Sequence, residues 1–194
     1  MIRLLLASIL CTTVLCATLS AAAPVPRPSP DFVVKLTPTG QVTTAQYKGK
    51  VVILAMILTT CPHCQKATQV LSGFQKEYGP RGLQVMAAAF NDMSNMLVPD
   101  FIKQFQPAFP VGWANRMDVL NYLQHSAMEQ MYVPIMVFID RKGVIRHQYM
   151  GDDPFFQNQD KNLRDTIEEL IKEPAATSTK KAAPAGKKTA SNKS

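Results

Sequence analysis

Residues 51–64 read Val51-Val52-Ile53-Leu54-Ala55-Met56-Ile57-Leu58-Thr59-Thr60-Cys61-Pro62-His63-Cys64. The first eight are apolar, with β-branched enrichment, and are entered from Gly49-Lys50. Such a run predicts a strand buried on both faces. Downstream, Ala67, Val70, Leu71, Phe74 and Tyr78 recur at helical spacing, and Gly79-Pro80 stops the run. Pro62 falls at the first helical position, where its missing N–H costs nothing. Cys61 is therefore expected at the junction of a central strand and a helix N-terminus.

That position has chemical consequences. A helix start presents unpaired N–H groups and a partial positive charge. Both favour a thiolate, which is the nucleophile in disulfide exchange. His63, when protonated, adds to that stabilisation. Stabilising the reduced form makes the disulfide a stronger oxidant. Cys64 lies one helical turn inward, close enough to attack a mixed disulfide at Cys61. We read Cys61 as the nucleophile and Cys64 as the resolving thiol, with Pro62 and His63 tuning them. The redox group is then the Cys61–Cys64 disulfide itself, with no separate cofactor and no metal.

The chain has four cysteines in 194 residues. Cys11 and Cys16 lie in an apolar leader, so two remain in the mature protein. A structural staple across so short a loop would constrain the unfolded chain weakly. A zinc site needs about four ligands. The histidines are His63, His125 and His147, and outside the leader there is no second cysteine pair. A redox pair is the reading that the composition favours.

The leader runs from a basic start at Arg3 through an uncharged stretch to Ser20-Ala21-Ala22-Ala23. Residues 1–23 read as a secretory signal peptide. Left uncleaved, the uncharged stretch to Pro26 is long enough to anchor in a bilayer core of about 30 Å. Residues 24–173 read as one domain. From Pro174 the sequence PAATSTKKAAPAGKKTASNKS carries five lysines, no acid and no large aliphatic residue. It has too little apolar surface to offset its ordering entropy, so 174–194 is expected to be a disordered basic tail. Export into an oxidising, periplasmic or other extracytoplasmic compartment fits the cysteine usage.

The formal net charge of +7 comes from 21 Lys plus Arg against 14 Asp plus Glu. Without Arg3 and the tail lysines, residues 24–173 keep 15 basic against 14 acidic side chains. A near-neutral domain gives no reason to assign nucleic-acid binding. Contact with a membrane or another anionic surface falls to the leader or the tail.

The rest alternates strand and helix. Residues 31–36 and 41–43 read as short strands around Thr39-Gly40. Residues 83–90 form an apolar strand. Pro99 begins a segment with Phe101, Ile102 and Phe105 on one face, and 109–113 is another short extended piece. Met117, Leu120, Leu123 and Ala127 mark a helix. Residues 135–139 and 144–149 flank Asp140-Arg141-Lys142-Gly143 as a hairpin. Leu163, Ile167, Leu170 and Ile171 mark a final amphipathic helix. This order predicts an α/β domain with a mixed central sheet covered on both faces.

The strand, the CxxC at the next helix start, and Val133-Pro134 before a strand and hairpin together resemble the thioredoxin fold. Residues 47–52 (YKGKVV) and 133–145 (VPIMVFIDRKGVI) are similar to the TlpA/ResA-like branch of the redoxin and AhpC/TSA group. The resemblance covers roughly residues 31–172. It implies a three-layer fold with a βα insertion between the CxxC helix and the proline strand. It also implies that Pro134 is a cis-proline facing the cysteines, and that Val133 offers backbone groups to a bound partner chain. The implied partners are protein thiols or disulfides and a redox partner protein. The Pro-His dipeptide matches DsbA-like oxidants, whereas the TlpA/ResA resemblance implies reduction.

Three departures stand out. The Trp common before the pair is Thr60. The buried acid of thioredoxin would fall at Ala55, and the ResA-like acid at Ala67. Proton handling is left to water, His63 or an unidentified group, with Lys66 nearby in sequence. Two other functions compete. A redoxin-type thiol peroxidase, with antioxidant activity, wants Pro and Thr seven and three residues before the reactive cysteine, where this chain has Leu54 and Leu58. A copper-binding chaperone fits two thiolates and a histidine. Met56, Met86, Met117 and Met136, however, are expected in the core.

Overall fold

The computed structural model describes residues 23–174. The leader to residue 22 and the tail from residue 175 lie outside the described residues, and so does Cys11-to-Cys16. Among the described residues, no helix is long and apolar enough to cross a membrane.

The run after Gly49 forms strand β4, Val51–Ile57, and every residue of it is buried. Before it come β1 (Arg27–Pro28), β2 (Val33–Lys35) and β3 (Gln41–Thr43). After it come helix α1 (Pro62–Tyr78), β5 (Leu83–Ala89), α2 (Ser94–Phe105), β6 (Val111–Trp113) and α3 (Arg116–Leu123). The chain closes with β7 (Ile135–Ile139), β8 (Val144–Tyr149) and α4 (Gln159–Lys172). The sheet order is β1-β8-β7-β4-β5-β6-β2-β3. β4, β5 and β6 run parallel, and β7 runs antiparallel to β4. The insertion is visible as α2 and β6, between β5 and α3.

β4 explains the three layers. Its side chains alternate between two faces. Val51, Ile53, Ala55 and Ile57 pack with Ala67 and Leu71 of α1, Val98 of α2 and Leu163 and Ile167 of α4. Val52, Leu54 and Met56 pack with Val119 and Leu123 of α3. Each fully buried large aliphatic side chain contributes about 1.5–3 kcal/mol. A continuous apolar strand is therefore stable only in the middle of the sheet, and β4 lies there between β5 and β7.

The 140–143 turn joins β7 and β8 as the sequence predicts. The buried Asp140 carboxylate accepts the backbone N–H groups of Lys142 and Val144, both at 2.9 Å. Gly143 takes the positive φ of 81° that the turn requires. Gly112 on β6 lets β2 approach, since a side chain there would run into the Lys35 backbone.

Several expectations are corrected. α2 begins at Ser94, so Pro99 lies inside the helix rather than at its start. Its position in the second turn removes a single ladder hydrogen bond. α3 stops at Leu123, because Gln124 turns left-handed, and Ala127 lies beyond the helix. Met117 sits on the solvent side of α3 and is 56% exposed, so it is not core. Met56, Met86 and Met136 are fully buried. β1 has no counterpart in the sequence reading: it is a two-residue edge strand paired to Val144 and Ile145 of β8. Arg27 secures it by donating to the Tyr122 carbonyl (3.2 Å) and the Gln148 side chain (2.7 Å).

Candidate active site

Cys61 is the N-cap of α1, with extended backbone (φ −85°, ψ 121°), and Pro62 follows at the helix start. Its carbonyl accepts from Gln65 N at 3.0 Å, which opens the helical ladder. Cys61 is half-buried, while Pro62 and His63 are exposed. Cys64, one turn in, is fully buried. Both are free thiols in this structure. Burial pushes the Cys64 thiol well up, the Leu58 N–H pulls it part of the way back, and the neighbouring Cys61 raises it further. The Leu58 N–H donates to Cys64 Sγ at 3.5 Å. A buried thiol behind a half-exposed one is an arrangement that suits a resolving role.

The loop that delivers Cys61 is tightly tied. The Cys61 N–H donates to the Leu58 carbonyl at 3.2 Å. The Thr59 N–H donates to Asn91 Oδ1 at 2.9 Å, and the Thr59 hydroxyl reaches the same oxygen at 3.3 Å. The Gln65 amide donates to the Thr59 carbonyl at 3.0 Å.

A cleft of about 320 Å³ opens beside the first turn of α1. His63 and Lys66 of α1 form one wall, and Tyr132, Val133 and Pro134 form another, with Gly151, Asp152, Phe156 and Gln159 completing the lining. The Val133–Pro134 peptide is cis, as the resemblance implies. Gly151 braces that wall: its N–H donates to the Tyr132 carbonyl at 2.9 Å. A Cβ on Gly151 would come within 2.5–2.8 Å of the Val133 backbone. The cleft thus brings His63 and Val133-Pro134 together from points 70 residues apart in the chain.

Sequence reasoning missed Asn91 and Gly151. Asn91 follows β5 with no motif around it. Gly151 follows β8, where a glycine reads only as the end of a strand. The positions of the absent acids are filled by packing: Ala55 and Ala67 are each 1% exposed. Leu54 is buried and Leu58 half-buried, so neither offers the polar clamp that a peroxide needs. Among the described residues, no three His, Cys, Asp or Glu side chains gather as a metal-binding group.

Comparison with known proteins agrees with this architecture. A thioredoxin-family thiol:disulfide interchange protein from Chlorobium tepidum superposes with a TM-score of 0.61 at 21% identity, covering 77% of this chain and 99% of that one. The thioredoxin domain of a thiol-disulfide oxidoreductase from Bacteroides vulgatus superposes with a TM-score of 0.60 at 17% identity, covering 78% and 98%. A thiol:disulfide interchange protein from a Bacteroides species gives 0.61 at 16%, covering 76% and 90%. At these identities the likeness shows the fold, which is thioredoxin-like. No curated protein sequence matches closely enough to carry an argument. The Redoxin family description matches residues 24–167, nearly the whole described domain, and the chain belongs to the Redoxin family.

Proposed function

We propose that this protein is an exported thiol–disulfide oxidoreductase whose redox centre is Cys61-Pro62-His63-Cys64. The observation that carries this reading is the asymmetry of the pair. Cys61 is half-buried at a helix start, Cys64 is fully buried one turn in, and His63 between them lines an open cleft.

Exchange proceeds in two balanced steps. The Cys61 thiolate attacks one sulfur of a substrate disulfide, forming a mixed disulfide and releasing one substrate thiolate. Cys64 then gives up its proton to that leaving thiolate and attacks Cys61 Sγ. The Cys61–Cys64 disulfide forms, and the second substrate sulfur leaves. The substrate gains two electrons and the protein loses two. A redox partner protein restores the dithiol, and the same steps run backwards oxidise a dithiol substrate.

Val133 and Pro134 supply the wall for an extended substrate chain, since proline withholds an N–H and leaves the neighbouring backbone groups to the substrate. The leader supports export. The helix terminus and the Pro-His dipeptide support an oxidising centre, and the TlpA/ResA-like resemblance supports a reducing one; the reduction potential of the pair decides. The test is turnover in a protein disulfide reduction assay. Cys61→Ser is expected to bring it to the uncatalysed background, and full activity in that variant overturns the proposal.

A further inference from the structure

We propose that Asn91 is a positioning residue for Cys61. The inference rests on Cys61 being the attacking thiol. The observation is a single peptide plane held from both sides. The plane between Leu58 and Thr59 carries the Leu58 carbonyl and the Thr59 N–H. The carbonyl accepts the Cys61 N–H at 3.2 Å. The N–H is given to Asn91 Oδ1 at 2.9 Å. Rotating that plane to free one bond breaks the other.

The neighbouring groups tighten the same hold. The Leu58 N–H meets Cys64 Sγ at 3.5 Å. The Thr59 hydroxyl, on a side chain only 6% exposed, adds a second bond to Asn91 Oδ1 at 3.3 Å. Two donors converging on one atom identify it as the carbonyl oxygen of the amide rather than its nitrogen. The Asn91 amide nitrogen is turned away and donates to the Asp92 carbonyl at 3.0 Å. The preceding backbone is fixed too, because Phe90 N donates to the Ile57 carbonyl at 3.1 Å. Asn91 is thus a rigid extension of β5 that reaches across to the cysteine loop.

This hold does what the missing residues do not. No carboxylate stands at Ala55 or Ala67, and no tryptophan packs before Cys61. The position of Cys61 at the start of α1 depends on the 58–61 turn, and among the described residues Asn91 is a side chain from outside the loop and helix that holds the turn. A neutral acceptor achieves this without placing a negative charge beside a thiolate.

The experiment uses the full chain and reads Cys61 without any substrate. Asn91→Ala is compared with the parent in three measurements: Cys61 alkylation by iodoacetamide across pH 5–9, the glutathione equilibrium of the pair, and amide exchange. We expect the alkylation profile to move, the glutathione equilibrium constant to change at least fivefold, and the Thr59 and Cys61 amides to exchange at least tenfold faster. Thr59→Val keeps the backbone bond to Asn91 and loses the hydroxyl bond, and is expected to move the readouts in the same direction by less than Asn91→Ala. If Asn91→Ala does not fold, Asn91→Ser carries the same thresholds; its hydroxyl falls one atom short of Oδ1 and admits water to the Thr59 amide. An alkylation profile and glutathione equilibrium within twofold of the parent in the folded variant overturn the inference. That failure is distinct from active Cys61→Ser, which overturns the functional proposal instead.

Discussion

The two walls of the cleft are made in different ways. The α1 wall is local: His63 and Lys66 line it, and the strand–helix junction that sets them in place also carries Cys61 and Pro62. The opposite wall is tertiary. Val133 and Pro134 follow a loop with little regular structure, and their position depends on the backbone of Gly151 pressing against Val133. On the proposed function, the first wall carries the reacting thiol and the second carries what fits against it. A local wall and a tertiary wall are held by different contacts, so on that function reactivity and substrate fit are expected to be separable by substitution.

The largest effect is expected within the α1 wall. Cys64→Ser removes the resolving thiol, and no other cysteine lies among the described residues. Cys61 still attacks, so a mixed disulfide accumulates, and steady-state turnover falls by about two orders of magnitude or more. Intact mass after mixing with a disulfide substrate reads the adduct. Rapid release of the adduct would remove Cys64 from its role.

The next effect is on the opposite wall. Gly151→Ala forces a methyl group against the Val133 backbone. The overlap costs about 1–3 kcal/mol, which lowers Tm by roughly 2–4 °C per kcal/mol in a domain of this size. Turnover of a protein substrate is expected to fall about tenfold, the factor that 1.4 kcal/mol of lost transition-state binding gives. Alkylation of Cys61 by a small reagent should not change. Equal losses in both assays would mean that the two walls are one mechanical unit.

The same division governs what was legible in the sequence. β4, α1 and the β7–β8 hairpin were readable because each rests on a local pattern. Seven consecutive buried residues leave a strand no solvent face, and Asp140 with Gly143 writes its own turn. The cysteines announced themselves by spacing, and Pro134 by resemblance. What stayed hidden was set by distant partners. β1 is a strand only because β8 offers an edge to Arg27 and Pro28. Met117 looks apolar at helical spacing, yet α3 is short and buries Val119, Leu120, Tyr122 and Leu123 instead. Pro99 suggests a helix start, but the contacts that bury Ser94 and Val98 carry the helix back beyond it. Asn91 and Gly151 each act through one oxygen or one missing methyl group, and neither leaves a pattern.

The smallest effect tests the second wall through its backing. An aromatic stack lies behind the cleft: Tyr149 and Phe155 rings are 4.1 Å apart, and Phe156 beside them reaches the cleft lining. His147 stacks on Tyr149 at 5.8 Å and meets Phe138 edge-on at 6.2 Å. Burial pushes the His147 imidazole below the ordinary 6.5, Glu169 of α4 pulls it partly back, and the neighbouring Arg146 pushes it down again. Among the described residues its Nε2 has no hydrogen-bond partner, and Glu169 is 3.9 Å away. A depressed histidine means that the folded state binds the proton less readily than the unfolded state. Stability is therefore full above pH 6.5 and is lost as pH falls from there through the folded value, below which it levels off. The affected structure backs the Val133–Pro134 wall through Phe156. Between pH 6.5 and 5, Tm should decline in the parent and stay flatter in His147→Phe, which keeps the ring contacts and loses the titration. Thermal melts of the two proteins across that interval read the difference. Parallel declines would show that acid loosens the fold through groups other than His147, and the aromatic backing would then give the second wall no pH sensitivity of its own.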